Sequence, residues 1–203
     1  PDFAAEHLKA LIEAKYNIIA VYTQPDRPSG RGHKLTPSPV KSLALEHNIP
    51  VFTPVNFKEE ADKAQFESLQ ADLAVVVAYG LILPERILNA PRLGCINVHG
   101  SLLPQWRGAA PIQRALLSGQ DKTGVTIMKI VKELDAGDML YKKEIEITSQ
   151  DTSETLFERL ATCGSQALVE AMPKILAQEL VAQKQDSALV TYAQKLSKDE
   201  SPL

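Results

Sequence analysis

The stretch Leu-Ala-Val-Val-Val-Ala at residues 73–78 is apolar at every position. A run of this length without alternation is typical of a strand that is buried on both faces of a parallel sheet. On both sides of this run, further apolar segments alternate with segments of helical periodicity. The predicted strands are residues 18–23, 51–52 and 95–99, and the predicted helices are residues 2–15, 39–47, 58–69 and 109–118. Alternation of strands and helices predicts an α/β domain with a parallel sheet.

Two later segments, residues 124–131 and 139–147, alternate in part between apolar and polar positions. This pattern predicts an antiparallel pair of strands at one edge of the sheet. The predicted fold class is therefore α/β, with an open, Rossmann-like, mostly parallel twisted sheet, helices on both faces and antiparallel edge strands.

Prolines and caps predict where elements begin and end. The stretch 24–39 is rich in proline and glycine, which predicts no regular element there. Ser38 and the proline after it predict a helix start. Asp151 or Thr152 is predicted to cap a long helix that Pro173 interrupts.

Composition excludes several classes of protein. The chain has 203 residues, 44% of them hydrophobic, and a net charge of -3, so it is not a basic nucleic-acid coat. No apolar run approaches the roughly 20 residues that span a bilayer, so we expect no membrane partner. The two cysteines, Cys95 and Cys163, and the scattered histidines form no metal-ligand pattern, so no metal is expected.

Side chains suited to catalysis lie in the second half of the predicted strand 95–99. Asn97 and His99 are two positions apart, so their side chains point to the same face. A second loop further along carries Asp135. An imidazole that moves a proton, a carboxylate that orients it and an amide that donates to an oxyanion suit acyl transfer to an amine. One oxyanion donor typically contributes roughly 3 kcal/mol.

These residues also have ordinary interpretations. A histidine at a strand end is more often structural, and Asp135 taken alone is more often a turn residue. Ser101 is not in a G-x-S-x-G elbow, so direct attack by the amine is favoured over an acyl-enzyme. Trp106 either lines a cleft or packs against the following helix.

The string Asn-Val-His-Gly-Ser-Leu-Leu-Pro-Gln-Trp-Arg-Gly-Ala-Ala-Pro-Ile at 97–112 resembles the folate-dependent formyltransferase family. Within that family it is most similar to the branch that formylates methionyl-tRNA. The likeness extends over essentially the whole chain. Further matching segments are residues 1–3, 23–27, 75–84, 124–128 and 135–139.

The resemblance implies a function and a set of site residues. It implies transfer of a formyl group from 10-formyltetrahydrofolate to the α-amino group of initiator methionyl-tRNA, a step of translation initiation. Asn97, His99 and Asp135 match the family's catalytic trio. The implied folate contacts are Ser101, Leu102, Leu103, Pro104, Tyr79, Gly80, Leu81, Ile82, Leu83, Leu134, Gly137 and Asp138. The implied tRNA contacts, in a locally basic stretch, are Arg27, Arg31, Lys34 and Lys41.

The resemblance also implies an organisation of the chain. We expect residues 1–178 to form the catalytic domain, with a first strand upstream, and residues 179–203 to be a polar linker towards a C-terminal β-barrel domain. A cytoplasmic monomer, in a bacterial cytosol or an organelle matrix, is expected. The alternatives are formyl transfer to another amine, such as glycinamide ribonucleotide or an amino sugar, hydrolysis of the formylfolate, and a folate- or tRNA-binding module without turnover.

Overall fold

The structure is a computed structural model that describes residues 2–29, 32, 34–108 and 110–193. The chain forms two compact units, Pro1–Cys95 and Ile96–Leu203. The elements of the first unit are α1 (Phe3–Glu13), β1 (Val21–Tyr22), β2 (Arg27–Ser29), β3 (Lys34–Thr36), α2 (Pro39–Glu46), β4 (Val51–Phe52), α3 (Glu60–Ser68), β5 (Ala74–Val76) and α4 (Glu85–Leu88).

The first unit has its core between α1, α2 and the parallel pair β1–β4. Asp2 caps α1, because its carboxylate accepts a hydrogen bond of 3.0 Å from the Ala5 N–H. Buried side chains from α1, β1, α2 and the segment between α2 and β4 meet in this core. They are Leu8, Val21, Ala44 and Ile49. The helix-strand alternation predicted here is thus confirmed, although the strands are shorter than predicted.

Two local predictions for the first unit are corrected. The proline-rich stretch 24–39 contains a short antiparallel hairpin, β2–β3, in which Pro28 lies opposite Leu35. A proline is tolerated there because an isolated two-stranded ribbon has no central strand to interrupt. The apolar run 73–78 forms only the three-residue strand β5, with half-buried side chains, and Ala78 ends the extended stretch with a φ of +50°.

Ser38 begins α2 as predicted. Its hydroxyl accepts a hydrogen bond of 3.2 Å from the Lys41 N–H, and Pro39 occupies the first helical position.

The second unit is built on an antiparallel sheet with the strand order β6-β8-β9. Its register places Asn97 opposite Met128 and His99 opposite Thr126. The antiparallel pair predicted for residues 124–131 and 139–147 is confirmed as β8 and β9. The elements are β6 (Cys95–His99), β7 (Arg107–Gly108), α5 (Pro111–Leu117), β8 (Lys122–Lys129), β9 (Met139–Glu146), α6 (Ser153–Leu176), a 3-10 turn (Ser187–Leu189) and β10 (Tyr192–Ala193).

Helix α6 packs against β8 and β9 and does not stop at its proline. Thr152 caps its start in a capping box with Thr155. The predicted interruption at Pro173 is wrong, since the helix continues to Leu176. Proline has no backbone N–H, so the helix lacks one hydrogen bond at this position. Burial of the neighbouring Met172 side chain stabilises this turn of the helix.

The end of the described chain packs back onto the second unit, although its composition predicts a linker. Gln183 forms an antiparallel bridge with Met139, and β10 pairs in parallel with β7. None of the helices in the described part of the chain combines the length and the hydropathy that a membrane span requires.

Candidate active site

His99 ends β6 with its ring almost fully buried. Its Nε2 lies 2.7 Å from the carbonyl oxygen of Trp106. A carbonyl only accepts, so Nε2 carries a hydrogen in this arrangement. Nδ1 then faces the Oδ2 of Asp135 at 3.6 Å, a contact longer than a hydrogen bond. The side chains of His99 and Asp135 are each only 6% exposed.

Asp135 is held on the loop between β8 and β9 in a conformation that few residues adopt. Its φ is +52°, and its Oδ2 accepts a hydrogen bond of 2.8 Å from the Gly108 N–H. Gly137 makes the close return of this loop possible, because a Cβ there would lie 1.6 Å from the carbonyl oxygen of Lys129. The loop therefore presents the carboxylate to the end of β6.

Asn97 lies on the same face of β6 as His99 and is half-buried. Among the residues that the structure describes, its amide makes no side-chain hydrogen bond. The amide is thus able to donate to an oxygen atom of a bound molecule.

The segment Ser101–Pro104 is tied to the sheet through Thr126 on β8. The Thr126 hydroxyl donates to the Ser101 carbonyl at 2.8 Å and accepts from the Leu103 N–H at 3.0 Å. The Ser101 hydroxyl is buried and donates to the Gln105 carbonyl at 2.5 Å, so it does not face a substrate as a nucleophile.

Lys142 reaches the same segment from β9. Its Nζ donates to the Leu103 carbonyl at 2.6 Å, and partial burial lowers the pKa of its ammonium group. Neither Thr126 nor Lys142 is among the site residues predicted from the sequence. A polar residue in the apolar string of β8 is a signal for Thr126, but its partners depend on the strand register.

Trp106 takes part in the site mainly through its backbone. Its carbonyl holds His99, its φ is +59°, and its indole N–H donates to Gln120 at 3.1 Å.

The other implied folate residues, 79–83, belong to the first unit and follow β5. The Tyr79 carbonyl accepts a hydrogen bond of 2.7 Å from Gln24, and burial raises the pKa of the Tyr79 hydroxyl to about 12. Ile82 is 90% exposed. Leu134, Gly137 and Asp138, by contrast, lie on the Asp135 loop of the second unit.

The basic residues predicted to contact tRNA are not equivalent. Arg27 and Lys34 are exposed on the hairpin β2–β3, where Arg27 donates to Gln24. Lys41 lies in the first turn of α2 and forms an ion pair of 3.1 Å with Asp26, which neutralises its charge locally. Arg31 lies outside the described residues.

Cys95 is buried, and burial raises the pKa of its thiol to about 11, which disfavours the thiolate. No group of three or more histidine, cysteine or acidic side chains that could hold a metal is found among the residues described.

Comparison with solved structures confirms the α/β fold. Glycinamide ribonucleotide transformylase 1 from Symbiobacterium toebii is 18% identical, with a TM-score of 0.74 and 90% of either chain covered. Phosphoribosylglycinamide formyltransferase from Coxiella burnetii is 24% identical, with a TM-score of 0.70, covering 86% of this chain and 83% of its own. An N-formyltransferase from Helicobacter canadensis, in complex with folinic acid and dTDP-3-aminofucose, is 17% identical, with a TM-score of 0.71, covering 99% of this chain and 69% of its own.

Sequence comparison with protein families gives a match over most of the chain. Residues 1–172 match the family described as formyl transferase. The matched range includes β6, the Asp135 loop and nearly all of α6. The chain therefore belongs to the formyl transferase family.

Proposed function

We propose that this protein transfers the formyl group of 10-formyltetrahydrofolate to a primary amine. The observation that carries the proposal is the buried His99 ring, held by the Trp106 carbonyl and facing the Asp135 carboxylate at 3.6 Å. Membership of the formyl transferase family supports the reaction class. The folinic acid in the Helicobacter canadensis structure supports a folate as the donor.

The three side chains have distinct roles in the proposed reaction. The amine nitrogen attacks the formyl carbon, and the carbonyl becomes an oxyanion to which the Asn97 amide donates. A new C–N bond forms, the bond from the formyl carbon to the folate nitrogen breaks, and one proton passes from the amine to the leaving nitrogen. His99 carries this proton at Nδ1, the ring nitrogen whose contact with Asp135 is too long for a hydrogen bond. The Trp106 carbonyl keeps the ring oriented, and the Asp135 carboxylate places its negative charge in front of the nitrogen that receives the proton.

We propose the α-amino group of initiator methionyl-tRNA as the acceptor. The string at 97–112 supports this choice through its likeness to that branch of the family, and the exposed cations Arg27 and Lys34 suit phosphate contacts. An α-amino group has a pKa of roughly 7.7–8.0, so much of it is protonated at neutral pH and a proton acceptor accelerates its attack.

Glycinamide ribonucleotide and a nucleotide-linked amino sugar are a second candidate class of acceptor. They are favoured by the solved structures of similar fold, which are named as glycinamide ribonucleotide and sugar formyltransferases. Both classes use the same attack on the formyl carbon and differ in what binds beyond the amine.

One competition assay tests the acceptor, the mechanism and the reaction class together. The protein is incubated with 10-formyltetrahydrofolate and equal concentrations of initiator methionyl-tRNA, glycinamide ribonucleotide and dTDP-3-aminofucose, and the formylated products are separated by mass. We expect formylmethionyl-tRNA as the main product. We expect His99→Gln to lower kcat about 100- to 10,000-fold, whereas His47→Gln, at an exposed histidine outside the site, leaves kcat unchanged.

The outcomes separate the parts of the proposal. A main product formed from glycinamide ribonucleotide or the amino sugar would refute the tRNA acceptor. Full activity of His99→Gln would refute the mechanism, and no transfer to any amine would refute the reaction class.

A further inference from the structure

The segment of residues 183–193, here named the strap, bonds to both loops that form the candidate site. At one end, the backbone of Gln183 exchanges hydrogen bonds of 2.7 and 2.8 Å with Met139, which follows the Asp135 loop. At the other end, Thr191 donates to the Pro104 carbonyl at 3.2 Å and accepts from the Arg107 N–H at 2.9 Å. The strap thus spans the Asp135 loop and the loop after β6.

Between these ends, the side chain of Gln185 bonds to both loops at once. Its Nε2 donates to the carbonyl oxygens of Asp135 at 2.7 Å and Gly137 at 2.9 Å. Its Oε1 accepts from the Nε of Arg107 at 3.0 Å. Both N–H groups and the oxygen of this half-buried amide are therefore used.

Arg107 extends this connection to the catalytic groups. It is 8% exposed, and its guanidinium lies 3.7 Å from Glu133. Its two chain neighbours make the backbone contacts that frame the site. Trp106 holds the ring of His99 through its carbonyl, and the Gly108 N–H binds the carboxylate of Asp135.

We infer that Gln185 is a positioning residue for the proposed formyl transfer, because its amide locks the Asp135 loop against Arg107 and so holds the Asp135 carboxylate in front of His99. The inference rests on the proposed function. An aspartate with a φ of +52° needs its surroundings to hold it there, and two of its loop's carbonyl oxygens are bound by this one side chain. A displacement of about 1 Å can cost about 100-fold in rate.

The variant Gln185→Glu tests this role with little change in size. It replaces both N–H donors with an oxygen that faces two carbonyl oxygens, while the group facing Arg107 remains an acceptor. Gln183→Glu is the matched control, because it makes the same change in charge two residues away on the strap. The Gln183 side chain is exposed and forms no hydrogen bond among the described residues. Gln185→Met, which is uncharged, serves as a second variant if Gln185→Glu does not fold.

The first measurement needs no catalytic activity. The Gly108 amide donates to the Asp135 carboxylate, so its hydrogen exchange, followed by NMR, reports whether that carboxylate is in place. We expect Gln185→Glu to accelerate exchange of the Gly108 amide about 10-fold or more, and Gln183→Glu to leave it unchanged. Equal exchange in the two variants overturns the inference.

The second measurement is a double-mutant cycle on kcat for the best acceptor in the competition assay. We expect Gln185→Glu to lower kcat about 10-fold or more, and to lower it little further when Asp135→Asn is already present, because both changes act on one carboxylate. A role in general stability would instead lower kcat by the same factor in both backgrounds, which overturns the inference. If the unmodified protein transfers no formyl group, the proposed function fails, and the Gly108 exchange still decides the role of Gln185.

Discussion

Lowering the pH is expected to destabilise this protein through His7, a buried histidine of the first unit. His7, on α1, is 1% exposed and stacks on Phe3 with ring centroids 4.6 Å apart. Its Nδ1 donates to the Phe3 carbonyl at 2.7 Å, and its buried Nε2 has no hydrogen-bond partner among the described residues. Burial lowers the pKa of His7 from 6.5 to about 4.

The sign and the size of the effect follow from this difference. As the pH falls, the unfolded chain takes up the proton first, near pH 6.5, while folded His7 remains neutral until about pH 4. The contribution of His7 to the free energy of unfolding is therefore fully present above about pH 6.5. It falls between about pH 6.5 and about pH 4, and it does not change further below about pH 4. The whole loss is about 3 kcal/mol, of which between about 2 and 3 kcal/mol is reached at pH 4.5.

Urea unfolding followed by circular dichroism at pH 7.5 and pH 4.5 measures this loss. The wild type is compared with His7→Leu, and His47→Leu, at the exposed C-cap of α2, is the control. We expect the midpoint of the wild type and of His47→Leu to fall by about 1 M more than that of His7→Leu, at a typical slope of about 2 kcal/mol per M. Parallel pH profiles for wild type and His7→Leu would refute the reasoning.

The remaining predictions concern the loops of the site. Thr126→Val is expected to cost about 1–3 kcal/mol of unfolding free energy and to raise the KM for 10-formyltetrahydrofolate, since two buried backbone groups lose their partner. Thr126→Ser keeps both hydrogen bonds and this KM, and loses only the about 1 kcal/mol of unfolding free energy that the buried methyl group contributes. Lys142→Met should raise the KM for 10-formyltetrahydrofolate by about 3- to 10-fold at constant kcat, because the Leu103 carbonyl loses its hydrogen-bond donor. An unchanged KM in steady-state assays would contradict this prediction. Gly137→Ala should lower kcat by about 100-fold or more, because the new Cβ meets the Lys129 carbonyl and displaces the loop; wild-type kinetics would show that the loop adapts freely.

Local sequence signals determined the fold class and much of the second unit. Strand β6 has the predicted bounds 95–99, and Ser38 and Thr152 cap their helices, because alternation and caps depend on residues a few positions apart. The same signals misjudged Pro173, where burial of the helix face outweighs one lost hydrogen bond. The identity of the candidate catalytic residues also came from the sequence, through the string at 97–112.

Only the tertiary structure decided how those residues meet. Asp135 reaches His99 because its loop turns through a positive φ and returns closely over Lys129. The polar strap carries no periodic pattern by which Gln185 could be recognised as a partner of the Asp135 loop. Contacts between residues distant in the chain depend on strand register and loop conformation, which no short-range pattern contains, whereas strands and helix ends are decided by neighbours along the chain.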